Sequence, residues 1–258
     1  MLSLRTTTAV LYAILFNVSF FATAQAAESP AVVEGFGCNF LDGKDINDLD
    51  KAIDYYTARR SKVDSPELQK MGSVVWVPYR GNVAVDFVWI NNNITLNGWG
   101  KSNLAFESSK EGQAMQQKFD EVADCVGSSL QTTEVLFSTD EDLADDDEVL
   151  IEAYRCHLRP GKTMADSDAA IAEWRPVFEK AVEATNAATV VFRRLPIISG
   201  SGFDLSYVVV WDDTATYAMA SSAFLSNPAN TRSGELFAAA HSCESAMFKG
   251  RIVVPWDN

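Results

Sequence analysis

The chain has 258 residues, 47% of them hydrophobic and 22% charged, which is the composition of a globular protein and not of a disordered one. Its 35 acidic side chains outnumber 21 basic ones, for a net charge of −14 at neutral pH. A field of that sign repels phosphate backbones and anionic lipid, so neither nucleic acid nor a membrane surface is an expected partner.

Residues 1–26 read as a secretory signal peptide: one early cation, Arg5, an apolar run from Ala9 to Ala24, and a small-residue end, Ala24-Gln25-Ala26. Its removal leaves 20 basic and 35 acidic side chains, a net charge of −15. Nothing later in the chain is long and apolar enough to span a bilayer, which takes about 20 residues. The mature protein is therefore expected to be soluble and periplasmic or secreted.

Residues 34–44, EGFGCNFLDGK, return as residues 152–162, EAYRCHLRPGK, 118 positions on. The same displacement carries Asp86 onto Asp204, Phe106 onto Phe224, Phe119 onto Phe237 and Cys125 onto Cys243. A register kept from end to end marks a tandem repeat. It divides the chain into repeat 1 at 27–139, an acidic linker at 140–148 and repeat 2 at 149–258. The linker lacks the glycine turn and ligand spacing of a calcium loop.

Each repeat reads in the same order. A strand at 32–41 or 150–159 ends in a Gly-Lys turn. Next comes a helix, striped by Ile46, Leu49, Ile53 and Tyr56, or by Met164, Ile171, Trp174 and Phe178, with Asp45 and Thr163 as N-caps. Two strands follow, at 73–80 and 83–90 joined at Gly81-Asn82, and at 189–198 and 203–211 joined through 199–202. A second helix is expected at 112–126 and 233–247, and a last strand at 132–137 and 250–254.

Four cysteines in an exported chain favour disulfides, and of three connectivities the repeat selects Cys38–Cys125 and Cys156–Cys243. No C-x-x-C pair or neighbouring histidine supports zinc, and no metal site is expected. Gly161-Lys162-Thr163 lacks the first glycine of a phosphate-binding loop, since Cys156 stands there, so it is a strand-to-helix turn.

The order β-α-β-β-α-β is the ferredoxin-like unit. It covers one sheet face with helices and leaves the other bare, and a second copy supplies the cover by packing sheet against sheet. This arrangement resembles the dimeric α+β-barrel superfamily, which includes the antibiotic-biosynthesis-monooxygenase-like and EthD-like proteins, with the dimer fused into one chain. The resemblance covers nearly the whole mature chain and implies a monomer with an internal pseudo-dimer. Some members degrade haem or oxidise aromatic substrates, using Asn, Trp and His around the barrel cavity. The matching residues here are Asn39, Trp89 or Trp99, and His157 or His241.

Strand alternation turns Phe36, Cys38 and Phe40 toward the helices, and Gly35, Gly37, Asn39 and Leu41 between the sheets. In repeat 2 the inward set is Ala153, Arg155, His157 and Arg159, so the two halves differ. Asp86 and Asp204 are expected to face inward in mid-strand and to need partners, with Arg155, His157 and Arg193 available to Asp204. One reading is a polar pocket between the sheets lined by Asn39, Asp86, Arg155, His157, Arg193 and Asp204. The plainer reading is that both aspartates cap a hairpin near its turn or pair with a neighbouring cation. Trp99 aligns with Tyr217, so an aromatic is wanted there in both repeats.

Two functions follow. The first is a non-catalytic exported protein that binds a small molecule or a partner without a cofactor. The second is a cofactor-independent or haem-handling monooxygenase-like enzyme using the cavity between the sheets. With two histidines, no Gly-x-Ser-x-Gly elbow and no local Ser-His-Asp set, the first is favoured, and His157 and Asp204 are the only catalytic candidates.

Overall fold

The computed structural model describes residues 30–139, 143, 148–199 and 202–255. The expected signal peptide, nearly all of the acidic linker and Trp256 lie outside the described residues. Strand β1 (Ala31–Phe40) leads into α1 (Ile46–Thr57). The turn between them needs Gly43, whose φ of +75° is open to glycine at little cost. Asp45 caps α1 by accepting from the Asn47 backbone N–H at 2.9 Å. The expected stripe is buried at Leu49, Ile53 and Tyr56, while Ile46 stays exposed.

After a short α2 (Pro66–Lys70) come β2 (Gly72–Arg80), β3 (Phe87–Thr95), α3 (Leu96–Ser108), α4 (Lys110–Asp120) and β4 (Ala123–Ser138). The second half runs β5 (Glu148–Leu158), α5 (Met164–Thr185), β6 (Thr189–Ser199), β7 (Leu205–Trp211), α6 (Thr214–Ser226), α7 (Pro228–Ala240) and β8 (His241–Val254). Thr163 and Asp166 close a capping box at the start of α5.

Two expectations about the second helical region change. Each half carries two helices there. Leu96–Ser108 forms a helix although Gly98 and Gly100 interrupt its pattern, because Thr95 caps it at Gly98 and α2 packs against it. The last strands also begin about ten residues early. Ala123–Ser129 is held as strand by β1, in register from Phe40↔Ala123 to Val32↔Thr132. Long-range pairing overrides the local helical pattern. Cys125 and Cys243 therefore lie on β4 and β8, not on helices, and the disulfides join neighbouring strands. Their pairing is as expected, Cys38–Cys125 and Cys156–Cys243, each closing a separation of 87 residues.

The strands form one closed antiparallel barrel in the order β1-β3-β2-β8-β5-β7-β6-β4. The sheets of the two halves are thus not stacked as separate layers. Their edges pair, β2 with β8 and β4 with β6, which leaves no free edge donors or acceptors. An eight-stranded barrel has an interior just wide enough for its own side chains. Here Val33, Val74, Trp76, Val88, Ile90, Val149, Ile151, Val208 and Phe248 fill it. Two further cores lie outside the wall. One packs α1 to α4 around Cys38, Phe87, Trp89 and Met115, and the other packs α5 to α7 around Cys156, Phe178, Tyr207 and Trp211. Each fully buried large apolar side chain contributes about 1.5–3 kcal/mol. Among the described residues, no helix is long and apolar enough to cross a membrane.

Candidate functional site

Because the lumen is filled, cavities are found on the helix side of the wall, one in each half. The first measures about 590 Å³ and the second about 330 Å³, within the range of small-molecule sites. Each contains one glutamate from the first strand of its half, Glu34 on β1 and Glu152 on β5. Both share the parity of the disulfide cysteines, which turns them outward from the barrel.

In the second cavity the Glu152 carboxylate accepts from the Trp211 indole at 3.2 Å and from the Tyr154 hydroxyl at 3.1 Å. Tyr217 of α6 faces the same group. Burial pushes the Glu152 pKa above its ordinary value, and these donors offset only part of that shift. Burial and then the neighbouring carboxylate raise the Tyr154 phenol as well, so it stays protonated and donates. The rest of the cavity mixes aromatic rings with aliphatic side chains such as Leu136, Ile171 and Val209. Trp174 stacks on Phe178 with centroids 4.5 Å apart, and Phe224 and Phe237 close the helix side.

In the first cavity Glu34 lies across from Asn91 of β3 and near the Trp99 indole. Burial raises its pKa, and Trp99 and Asn91 oppose the shift. The Asn91 carbonyl is already taken by Trp89 at 2.8 Å and Ser73 at 3.0 Å. Tyr56 Oη lines this cavity buried and without a hydrogen-bond partner. Trp99 and Tyr217, matched in sequence, both turn a donor toward the half-buried glutamate of their own half.

The six residues expected around an inter-sheet pocket do not meet in one. Asp86 and Asp204 are exposed at the ends of their strands. Asp86 accepts from the Phe40 N–H and Asp204 from the Leu158 N–H, both at 2.8 Å, so each carboxylate ends a ladder, as the plainer reading held. His157 is exposed, with Nδ1 3.8 Å from Asp204, and Arg155 is exposed on the same rim. Asn39 lies at the matching end of β1. Arg193 faces away from the lumen, because Val191 on the same parity packs under α5, and it bridges Glu134 and Asp168.

His241 is buried at the start of β8. Its Nδ1–H donates to the Phe237 carbonyl at 3.0 Å, which leaves Nε2 to accept from Ser167 at 2.9 Å and Tyr207 at 3.3 Å. Burial lowers its pKa and keeps this neutral form. These facts decide whether the cavities suit haem. Neither offers a free imidazole, and the cysteine sulfurs in the first cavity are tied in the Cys38–Cys125 bridge, which leaves the Met71 thioether, a weak donor, as its remaining sulfur. Burial also raises the Tyr56 phenol, which disfavours the phenolate that iron would need. The donor set does not fit a haem iron. Among the described residues, no cluster of three or more His, Cys, Asp or Glu could hold a metal ion.

No protein-family model and no curated relative matches the chain. Solved structures do. A candidate monooxygenase from Fusobacterium nucleatum superposes with a TM-score of 0.58 at 10% identity, over 90% of this chain and 96% of that one. An anthrone oxidase-like protein gives 0.55 at 13% identity, over 88% and 94%. A candidate chlorite dismutase gives 0.54 at 11%, over 87% and 95%. The fold is that of the dimeric α+β barrels. Here one chain supplies all eight strands.

The expectation of a non-catalytic binding protein is overturned. It rested on two histidines and missing catalytic spacing, whereas the solved folds that match are named for enzymes. The signal that sequence reasoning passed over was Glu34 and Glu152 themselves, an identical acid on the apolar face of both first strands.

Proposed function

We propose that the protein is an exported, monooxygenase-like enzyme acting on flat apolar ring compounds in its helix-side cavities, with Glu152 as the group that moves the proton. The observation that carries this reading is the half-buried Glu152 carboxylate, held by Trp211 and Tyr154 inside a cavity walled by aromatic and aliphatic side chains. A carboxylate whose pKa burial raises is a better proton acceptor than a solvated one. Trp174 and Phe178 would hold a ring by stacking, and Glu152 would take a proton from an activated ring methylene. The carbanion so formed would be oxidised by dioxygen, R₂CH₂ + O₂ → R₂C=O + H₂O, with all electrons drawn from the substrate. Trp211, Tyr154 and Tyr217 keep the carboxylate aimed into the cavity. Glu34 would offer the same chemistry in the roomier first cavity.

Two disulfides fit a compartment outside the cytoplasm, and the periplasm is the proposed one. The matching element order of residues 31–138 and 148–254 supports a fused tandem duplication that works as a monomer. The test is oxygen uptake by purified protein given anthrone. Glu152→Gln is expected to lower the rate 10²- to 10⁴-fold, the range of a lost general base. Uptake no faster than the protein-free blank, or undiminished in E152Q, would sink the proposal.

A further inference from the structure

The filled lumen holds one unbalanced charge. Arg194 on β6 points into the barrel, on the opposite parity from Arg193, and is only 8% exposed. Its guanidinium lies over the Trp76 ring at 5.4 Å and beside Phe192 at 5.8 Å. Its Nε is buried with no hydrogen-bond partner. Burial alone lowers its pKa, to about 10, with no carboxylate acting against it. A buried cation without a counter-ion is costly, and among the described residues no carboxylate pairs with it.

The neighbours are donors too. Cross-strand pairing sets Thr133, Arg194, Ser206 and Arg155 in one row on the inner face of β4, β6, β7 and β5. Paired residues in antiparallel strands point to the same side. Thr133 Oγ1 is also buried without a partner. The Ser206 hydroxyl donates to the Gln131 side chain at 2.9 Å. Arg155 stands at the exposed end of the row, with Glu244 opposite it on β8 and no ion pair between them.

We propose that this end of the barrel binds a small inorganic anion of halide size, held by the Arg194 and Thr133 donors on the side of the guanidinium away from the Trp76 ring. Both unpartnered donors gain an acceptor at once, and a lumen packed with apolar side chains excludes an organic acid. Arg155 at the mouth favours entry of an anion into a protein that is negative overall. The proposal does not depend on the enzymatic reading, because Arg194 faces the lumen and the two glutamates face the helices.

The test is thermal unfolding of the purified protein at constant ionic strength, with bromide replacing the bulky gluconate anion. The wild type is expected to gain stability along a saturating curve, as a ligand of the native state requires. Arg194→Met should abolish the gain, and Thr133→Val should move half-saturation at least tenfold higher. Should R194M fail to fold, T133V still decides, together with a bromide anomalous peak within hydrogen-bonding distance of Arg194 Nε in crystals. No saturation in the wild type, an equal gain in R194M, an unmoved midpoint in T133V, or no peak at that position would each overturn the proposal.

Discussion

Trp211 donates its indole N–H to the Glu152 carboxylate across 3.2 Å, and Tyr154 donates from the next outward-facing position of the same strand. Two donors would stabilise the anion, yet burial wins and the pKa rises above 4.5. The folded state therefore binds this proton more tightly than the unfolded chain does. The stability tied to Glu152 is full below the ordinary carboxyl range and is lost as pH climbs through the raised value. Melting curves from pH 4 to 8 should show Tm falling across that window in the wild type. Glu152→Gln, which cannot ionise, should remove the Glu152 part of the fall and melt higher at pH 8. A lower Tm for E152Q at pH 8 would mean that the charge is stabilising.

Glu34 shows how close the sequence came to the site. Residues 34, 36, 38 and 40 share a face, and a disulfide cysteine among them fixes that face as the helix side. An acid repeated there at Glu152 is the sequence mark of a carboxylate on the helix side, but Arg155 and His157 on the opposite parity are the more conspicuous polar residues. Arg193 and Arg194 show the opposite difficulty. Adjacent residues on one strand face opposite ways, and only an anchored register tells which arginine enters the barrel. Bulges in the β4–β6 ladder, between Leu130 and Gln131 and between Val135 and Phe137, make that register unreadable from alternation alone. The barrel itself was expected from the fused pseudo-dimer, but its seams were out of reach for a related reason: β2–β8 and β4–β6 join strands far apart in sequence, and no local pattern encodes them.

The disulfides fasten the first strand of each half to the last. Reducing both, or replacing Cys38 and Cys125 by serine, should cost about 2–5 kcal/mol in urea unfolding. Peptide mapping without reductant should recover the 38–125 and 156–243 pairs, and a bridge between the halves would contradict the strand pairing described.

His241 is a packing residue in this structure. Its replacement by alanine leaves a cavity and takes one partner from each of the Ser167 and Tyr207 hydroxyls, which keep their own bond at 2.9 Å. His241→Ala should therefore lower the urea midpoint. Haemin added to the wild type should give no Soret band beyond that of free haemin. A band present in the wild type and absent in H241A would make His241 an iron ligand and reverse the donor-set argument.

Gly250 tests the seam that closes the barrel. It pairs with Trp76 across β2–β8 and with Val149 across β5–β8. A Cβ at this position would run into the Ile151 Cδ1 methyl and stand 2.9 Å from a Val149 methyl. Overpacking a dense interior typically costs about 1–3 kcal/mol, and Gly250→Ala should lose that much in urea unfolding. Gly127→Ala on β4 is the control, since its Cβ would meet nothing within 4 Å. Ile151→Val removes the obstructing methyl, so the I151V/G250A pair should be less destabilised than the two single changes added together. Strict additivity would mean that the two residues do not touch, and that the lumen beside the β2–β8 seam is looser than described.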